Sequence, residues 1–293
     1  MEIVTTIAPF ALALIMFGLG LGLTTTDFSR VIKNPKDFIV GFFSQLILLP
    51  IVALGLVFLL NLPTTIAVGL MIIAAAPGGV TSNILTKFAN GDVALSVTLT
   101  AVTSLVSILT VPFVVINSAN IIGVSISSDI SIANVALKMA LVVTVPVLFG
   151  MIIRKFFTNF ILSKINLIDK LSGILFIIVF AAIYIEERNN ILDYILQSGL
   201  AVLILNIVMM TLAFLIAKKY ASGISQQKCI AIEGGLQNGT VAVFVATLIF
   251  DDVAFVVPTA SYALIQYMTC LLYTSPSPRD QRGSRLAGWG WKK

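Results

Sequence analysis

Two long apolar stretches of this chain are interrupted in the middle by glycines and side-chain oxygens: AAAPGGVTSN from Ala74 to Asn83, and AIEGGLQNG from Ala231 to Gly239. A segment that crosses hydrocarbon has no water to pair its N–H and C=O groups, so it keeps them paired by staying helical. A break at membrane depth is tolerated only where it is enclosed by protein or lines a cavity. Both breaks lie in the middle of long apolar runs, so each is expected to line a cavity or site. The chain is 58% hydrophobic and 11% charged, against about 25% charged in a soluble domain. Its length alone suggests about two soluble domains, but too little polar surface is available to cover a soluble protein of this size.

Nine apolar runs follow one another: Ile3 to Leu23, Phe38 to Leu60, Thr65 to Phe88, Val93 to Ile116, Ile130 to Ile153, Ile168 to Ile185, Leu196 to Ala217, Cys229 to Phe250 and Val253 to Leu272. Each is close to the ~20 residues that a helix needs to span a bilayer, and the third and eighth carry the breaks. The connections alternate in charge. Arg30, Lys33 and Lys36 follow the first run, Lys87 marks the third, Arg154, Lys155, Lys164 and Lys170 the fifth, and Lys218, Lys219 and Lys228 the seventh. The second and fourth have no positive charge, the sixth is acidic with a single Arg188, and the eighth holds only Asp251 and Asp252. Nine crossings fit this alternation, which places the N-terminus outside and the C-terminus in the cytoplasm. The basic clusters read as topology signals, not as recognition of lipid or nucleic acid. The first run has no basic region ahead of it and reads as a true span, not a cleaved signal.

Several function classes fall away. The chain has no His, which excludes His-based catalysis, metal binding and proton relays. Cys229 and Cys270 lie in or beside apolar runs and suggest neither a disulfide framework nor a metal site. No paired intramembrane Asp or zinc-ligand set supports an intramembrane enzyme. The last residues, LLYTSPSPRDQRGSRLAGWGWKK from Leu271, leave the apolar pattern abruptly. They read as a disordered cytoplasmic tail or as a non-native end, and no function is assigned to them.

Glu233 is the only carboxylate well inside an apolar run. A charge at the centre of a membrane helix costs roughly 2.5–3.5 kcal/mol even on the lenient insertion scale. Such a residue faces a cavity, a cation or a partner, and the only other charge well inside a run is Lys138, near the end of the fifth. Gly234 and Gly235 free the backbone beside it, and Gln237 and Asn238 add amide oxygens. Hard cations such as sodium prefer oxygen ligands, and unwound carbonyls supply them; the plainer alternative is a glycine kink with amides that glue helices together. Pro77, Gly78 and Gly79 break the third run just before Ser82 and Asn83, and the proline removes one backbone donor. Ser96 and Thr100 are four apart and share a helix face, although hydroxyls often bond only to their own helix. Gln45 lies inside the second run, ahead of Pro50. One break in each half of such a chain points to the binding site of a transporter.

The pattern resembles the bile acid:sodium symporter family. The resemblance is carried by APGG with SN at Ala76 to Asn83, GD and LS at Gly91 to Ser96, and EGGLQN at Glu233 to Asn238. It implies an all-α polytopic fold in residues 1–270, with inverted-repeat halves at about 1–118 and 128–270. A core that contains the two discontinuous, crossing helices would move against a panel of the others. It also implies sodium-coupled import of an organic anion by alternating access across a plasma membrane, the inner membrane of a bacterium. Two sodium sites are expected: Ser82, Asn83, Ser96, Thr100 and Glu233 for one, and Gln45, Glu233 and Gln237 with the carbonyls of Gly234 and Leu236 for the other. Val80, Asn238, Gln266 and Tyr267 fall at substrate-facing positions. Members of the family carry bile acids, other steroid conjugates and small carboxylates. Some have ten helices and others nine, and this chain is expected to lack the first of the ten. Proton coupling through Glu233, or a channel, are the alternative readings.

Overall fold

The computed structural model describes residues 2–274 apart from 34, 187, 189 and 190, so most of the tail read as disordered or non-native lies outside the described residues. Among those residues there are no strands. The helices in chain order are α1 (Glu2–Gly22), α2 (Thr25–Lys33), α3 (Pro35–Leu59), α4 (Thr64–Ala75), α5 (Thr81–Phe88) and α6 (Val93–Ile122). Then come α7 (Ile132–Phe156), α8 (Thr158–Glu186), α9 (Ile191–Tyr220), α10 (Ile224–Gly235), α11 (Gly239–Ile249) and α12 (Val257–Thr274). Among the described residues, seven helices are long and apolar enough to cross a membrane. The other two apolar runs are the pairs α4–α5 and α10–α11, each split by an unwound stretch.

Local chemistry sets the helix ends and bends. Asp92 starts α6 by accepting the Leu95 N–H at 3.0 Å, Ser131 starts α7 by accepting that of Asn134 at 3.2 Å, and Gly123 ends α6 at φ 92°, a left-handed angle that glycine adopts without strain. Inside α3, Leu49 N–H reaches back five residues to Ser44 C=O, immediately before Pro50. Inside α7, Val145 N–H does the same to Ala140 C=O before Pro146. Widening one turn absorbs the bond that proline cannot make.

Helix α1 packs against α7 and α8, while α9 packs against α10 and α12, and α4 against α6. Gly20 and Gly150 mark the α1–α7 crossing: a Cβ at either would run into backbone of the other helix. Each long helix also presents large apolar side chains outward, among them Phe10, Ile51, Leu109, Phe149, Ile177, Leu200 and Leu264. This is the distribution of a protein solvated by lipid, and the chain is an integral membrane protein.

One pole of the bundle gathers the basic connections. Asp92 N–H donates to Ser225 C=O at 3.0 Å, Gln226 Nε2 to Asp92 Oδ2 at 2.9 Å, Lys228 Nζ to Ala89 C=O at 2.9 Å and Ser222 N–H to Asp37 Oδ1 at 2.7 Å. These bonds tie together the start of α3, the α5–α6 hairpin and the α9–α10 turn. Thr98 Oγ1 donates to Asp27 C=O at 3.0 Å and holds the short amphipathic α2 against α6 at the same pole.

Candidate functional site at the crossing of the two breaks

The two unwound stretches meet in the interior. Asn238 N–H donates to Pro77 C=O at 2.8 Å, and Gly78 and Gln237 pair as a single antiparallel bridge. Each break therefore satisfies part of the other's backbone, the pairing that a non-helical segment needs at membrane depth. Gly234 and Gly235 themselves stay helical; the residues that unwind are Leu236, Gln237 and Asn238. Gly235 instead makes room for Met210, whose side chain a Cβ there would overlap. Asn238 restarts the chain as α11 by accepting the Val241 N–H at 3.2 Å.

Glu233 sits beside this crossing with 0% of its surface exposed. Ser82 Oγ and Ser96 Oγ each donate to its Oε1 at 2.5 Å, and Thr100 Oγ1 lies 3.4 Å from Oε1 and 3.3 Å from Oε2. Asn83 Oδ1 lies 2.8 Å from Ser96 Oγ. The five residues expected at the first cation site are thus brought together from α5, α6 and α10. Among the described residues no Lys or Arg bonds to Glu233. A buried carboxylate met only by hydroxyls has no charged side chain to balance it, so an oxygen-lined niche beside it suits a cation. The residues present fit sodium in this respect.

Of the residues expected at the second site, Gln45, Gln237 and the Gly234 carbonyl converge on the Glu233 carbonyl. Gln45 Nε2 donates to Glu233 C=O at 3.1 Å, while Gln45 Oε1 is buried without a hydrogen-bond partner. Gln237 Nε2 lies 3.4 Å from Glu233 C=O and 3.3 Å from Gly234 C=O. Turned end for end, the same amide donates to Ala76 C=O at 2.8 Å and Pro77 C=O at 3.3 Å. That places Oε1 against the Glu233 and Gly234 carbonyls, an all-oxygen set that calls for a cation.

Next to the crossing a cleft with about 760 Å³ of empty space, counting its mouth, opens between α8 and the broken helices. Val80, Asn238 and Tyr267 line it, as do Asn83 and Gln237. Gln266 is not among the lining residues: it is buried, and its Oε1 accepts the Gln237 N–H at 2.9 Å. The Tyr267 hydroxyl is 3.1 Å from Thr81 Oγ1, and its ring meets Phe176 edge-on.

Two features escaped the sequence reading. Asp169 lines the cleft from α8; beside Lys170, at the polar end of a run, it reads as a boundary charge. Asn206 Nδ2 donates to Gly235 C=O at 2.7 Å and Tyr262 hydroxyl to the same carbonyl at 3.1 Å, clamping the end of α10. A lone Asn in an apolar run carries no signal for that role, since its partner is a backbone atom far away in sequence.

Comparison with known proteins fits this geometry. The family pattern described as "Sodium Bile acid symporter family" matches residues 9–194, more than half of the chain. The uncharacterized sodium-dependent transporter YocS of Bacillus subtilis (strain 168) is 32% identical over 282 residues, covering 94% of this chain and 85% of that protein. The chain belongs to the sodium bile acid symporter family. Two further relatives of this symporter are the probable sodium/metabolite cotransporter BASS1, chloroplastic, of Arabidopsis thaliana and the ileal sodium/bile acid cotransporter of Homo sapiens. The first is 30% identical over 85% of this chain and 61% of its own length; the second is 28% identical over 90% and 76%. The symporter is a sodium-coupled transporter and not an enzyme.

Proposed function

We propose that this symporter imports an organic anion by alternating access with two sodium ions, and that Glu233 is shared by both ion sites. The observation that carries the reading is a fully buried carboxylate at the crossing of two broken helices, met by hydroxyls and, among the described residues, by no basic side chain. Ser82, Asn83, Ser96, Thr100 and Glu233 hold the first ion. Gln45, Glu233, Gln237 and the carbonyls of Gly234 and Leu236 hold the second, and the orphaned Gln45 Oε1 supports that assignment. Val80, Asn238 and Tyr267 face the substrate in the cleft, and Gln266 acts from behind it by holding the Gln237 backbone.

Counting each split pair as one crossing gives nine spans with the N-terminus outside, in a bacterial inner membrane. The helices α1, α7 and α8 form the panel, and the broken helices with α3, α6, α9 and α12 form the core. The cleft runs from the breaks toward the basic pole, between Asp169 and Ser172 on one side and Asn83 and Ile84 on the other. In this orientation it opens to the cytoplasm, the inward-facing stage of the cycle.

Charge balance supplies the coupling. Glu233, two sodium ions and a monovalent anion sum to zero, so the loaded site moves through a low-dielectric barrier at least cost. The lining residues of the cleft include no Lys or Arg. The anion is met by sodium, by amides and by the first turns of α5 and α11, whose helix dipoles favour negative charge. Names of the relatives give metabolites and bile acids as cargo, and the substrate class here is an organic acid of that range.

Purified protein in proteoliposomes, given an inward sodium gradient and a panel of organic anions, tests the reading. Saturable uptake of at least one anion, lost when sodium is replaced at fixed pH, is expected. Uptake that follows a proton gradient and ignores sodium would instead assign Glu233 to proton coupling.

A further inference from the structure

A second recess lies away from the ion and substrate sites, at the basic pole, between the end of α1 and the end of α7. It has about 1070 Å³ of space, counting its open side, and is lined by Leu23, Thr24, Thr25, Leu148, Met151, Ile152, Arg154, Lys155 and Thr158. Its composition is divided along its length. Leu148 and Ile152 are one helical turn apart and exposed, at 47% and 52%, on the lipid-facing side of α7. Arg154, Lys155 and the threonines close the polar end. No acidic residue is among the lining residues, and the nearby Asp27 carboxylate already accepts from the Thr24 N–H and hydroxyl, both at 2.7 Å. Arg154 Nη1 is buried and has no hydrogen-bond partner among the described residues, which in a guanidinium leaves room for an acceptor from outside the chain.

We propose that this groove binds an anionic glycerophospholipid. Its phosphate sits between Arg154 and Lys155, with the threonine hydroxyls in reach of the headgroup, and an acyl chain lies along Leu148, Met151 and Ile152. Charge complementarity and depth together select this occupant. A basic pocket between helices at the cytoplasmic surface suits an anionic headgroup, and a free anion leaves the apolar half of the groove uncovered. The lipid bridges α1 to α7 where the glycine crossing brings them together.

Native mass spectrometry of the purified full chain tests this with phosphatidylglycerol and phosphatidylcholine of the same acyl chains. Retention of phosphatidylglycerol over phosphatidylcholine by roughly tenfold or more is expected. Lys155→Ala, on an exposed side chain, and Arg154→Ala should each reduce that preference severalfold. Lys164→Ala, on an exposed lysine at the same pole but outside the groove, should leave it intact. Equal retention of the two lipids, a preference that survives both groove variants, a loss as large in Lys164→Ala, or displacement by inorganic phosphate would each overturn the proposal.

Discussion

Glu233 keeps its position because its bonding partners are small. Ser82, Ser96 and Thr100 reach it from α5 and α6 with short hydroxyls, which bring oxygens close to a buried acid without adding charge. Gly78 completes the arrangement by leaving space. A Cβ there would lie 2.8 Å from both Gln45 Nε2 and Glu233 Oε2, so Gly78→Ala should force the two apart at a cost of roughly 1–3 kcal/mol. The expected readout is a weaker sodium-dependent thermal shift; an unchanged sodium midpoint would speak against the crossing as the ion site. Asp169 presents the opposite case, a like charge on the wall of the cleft proposed for the anion. Asp169→Asn should strengthen the apparent affinity for a monovalent anion by roughly twofold or more. The gain should shrink as ionic strength rises, and a loss of affinity would show that the acid contacts the substrate directly.

At the scale of elements, the two interrupted helices depend on clamps supplied by their neighbours. Asn206 and Tyr262 both bond to the Gly235 carbonyl, the last turn before the second break, and Thr269 Oγ1 donates back to Asn206 Oδ1 at 2.5 Å. Asn206→Ala removes one of two donors to a buried carbonyl, which should destabilise the protein by roughly 1–3 kcal/mol. Sodium coupling should suffer with it, since α10 carries Glu233; full stability in a thermal melt would contradict the clamp. The breaks were legible because glycine, proline and amides stand out inside apolar runs, and the convergence of Ser82, Ser96 and Glu233 followed from the motifs. Helix lengths were less legible. The sixth run reads from Ile168, yet α8 begins at Thr158, and the fourth run ends at Ile116 while α6 continues to Ile122. Apolar runs report the thickness of the hydrocarbon, and a helix continues past it wherever its caps allow. The amphipathic α2 was hidden for the related reason that its charges read as a connection. Leu236 to Asn238 unwinds in place of the two glycines because α10 packs against α9, with Gly235 fitted closely against Met210.

For the whole molecule, the consequence of charge balance is electrical. With two sodium ions and one monovalent anion per cycle, one net positive charge enters. A membrane potential of 100 mV, negative inside, is then worth roughly 2.3 kcal/mol, or roughly fiftyfold in accumulation. Potential-clamped proteoliposomes should show uptake that rises with inside-negative voltage, and voltage-independent accumulation of a monovalent anion would exclude the two-ion stoichiometry. The most direct measurement is sodium-dependent thermal stabilisation of purified protein, compared between wild type and Glu233→Gln, which keeps the size of the side chain and removes its charge. The account predicts saturable stabilisation of the wild type by sodium, none by choline, and loss of the sodium effect in the variant while it stays folded. Equal stabilisation of both proteins by sodium would contradict it.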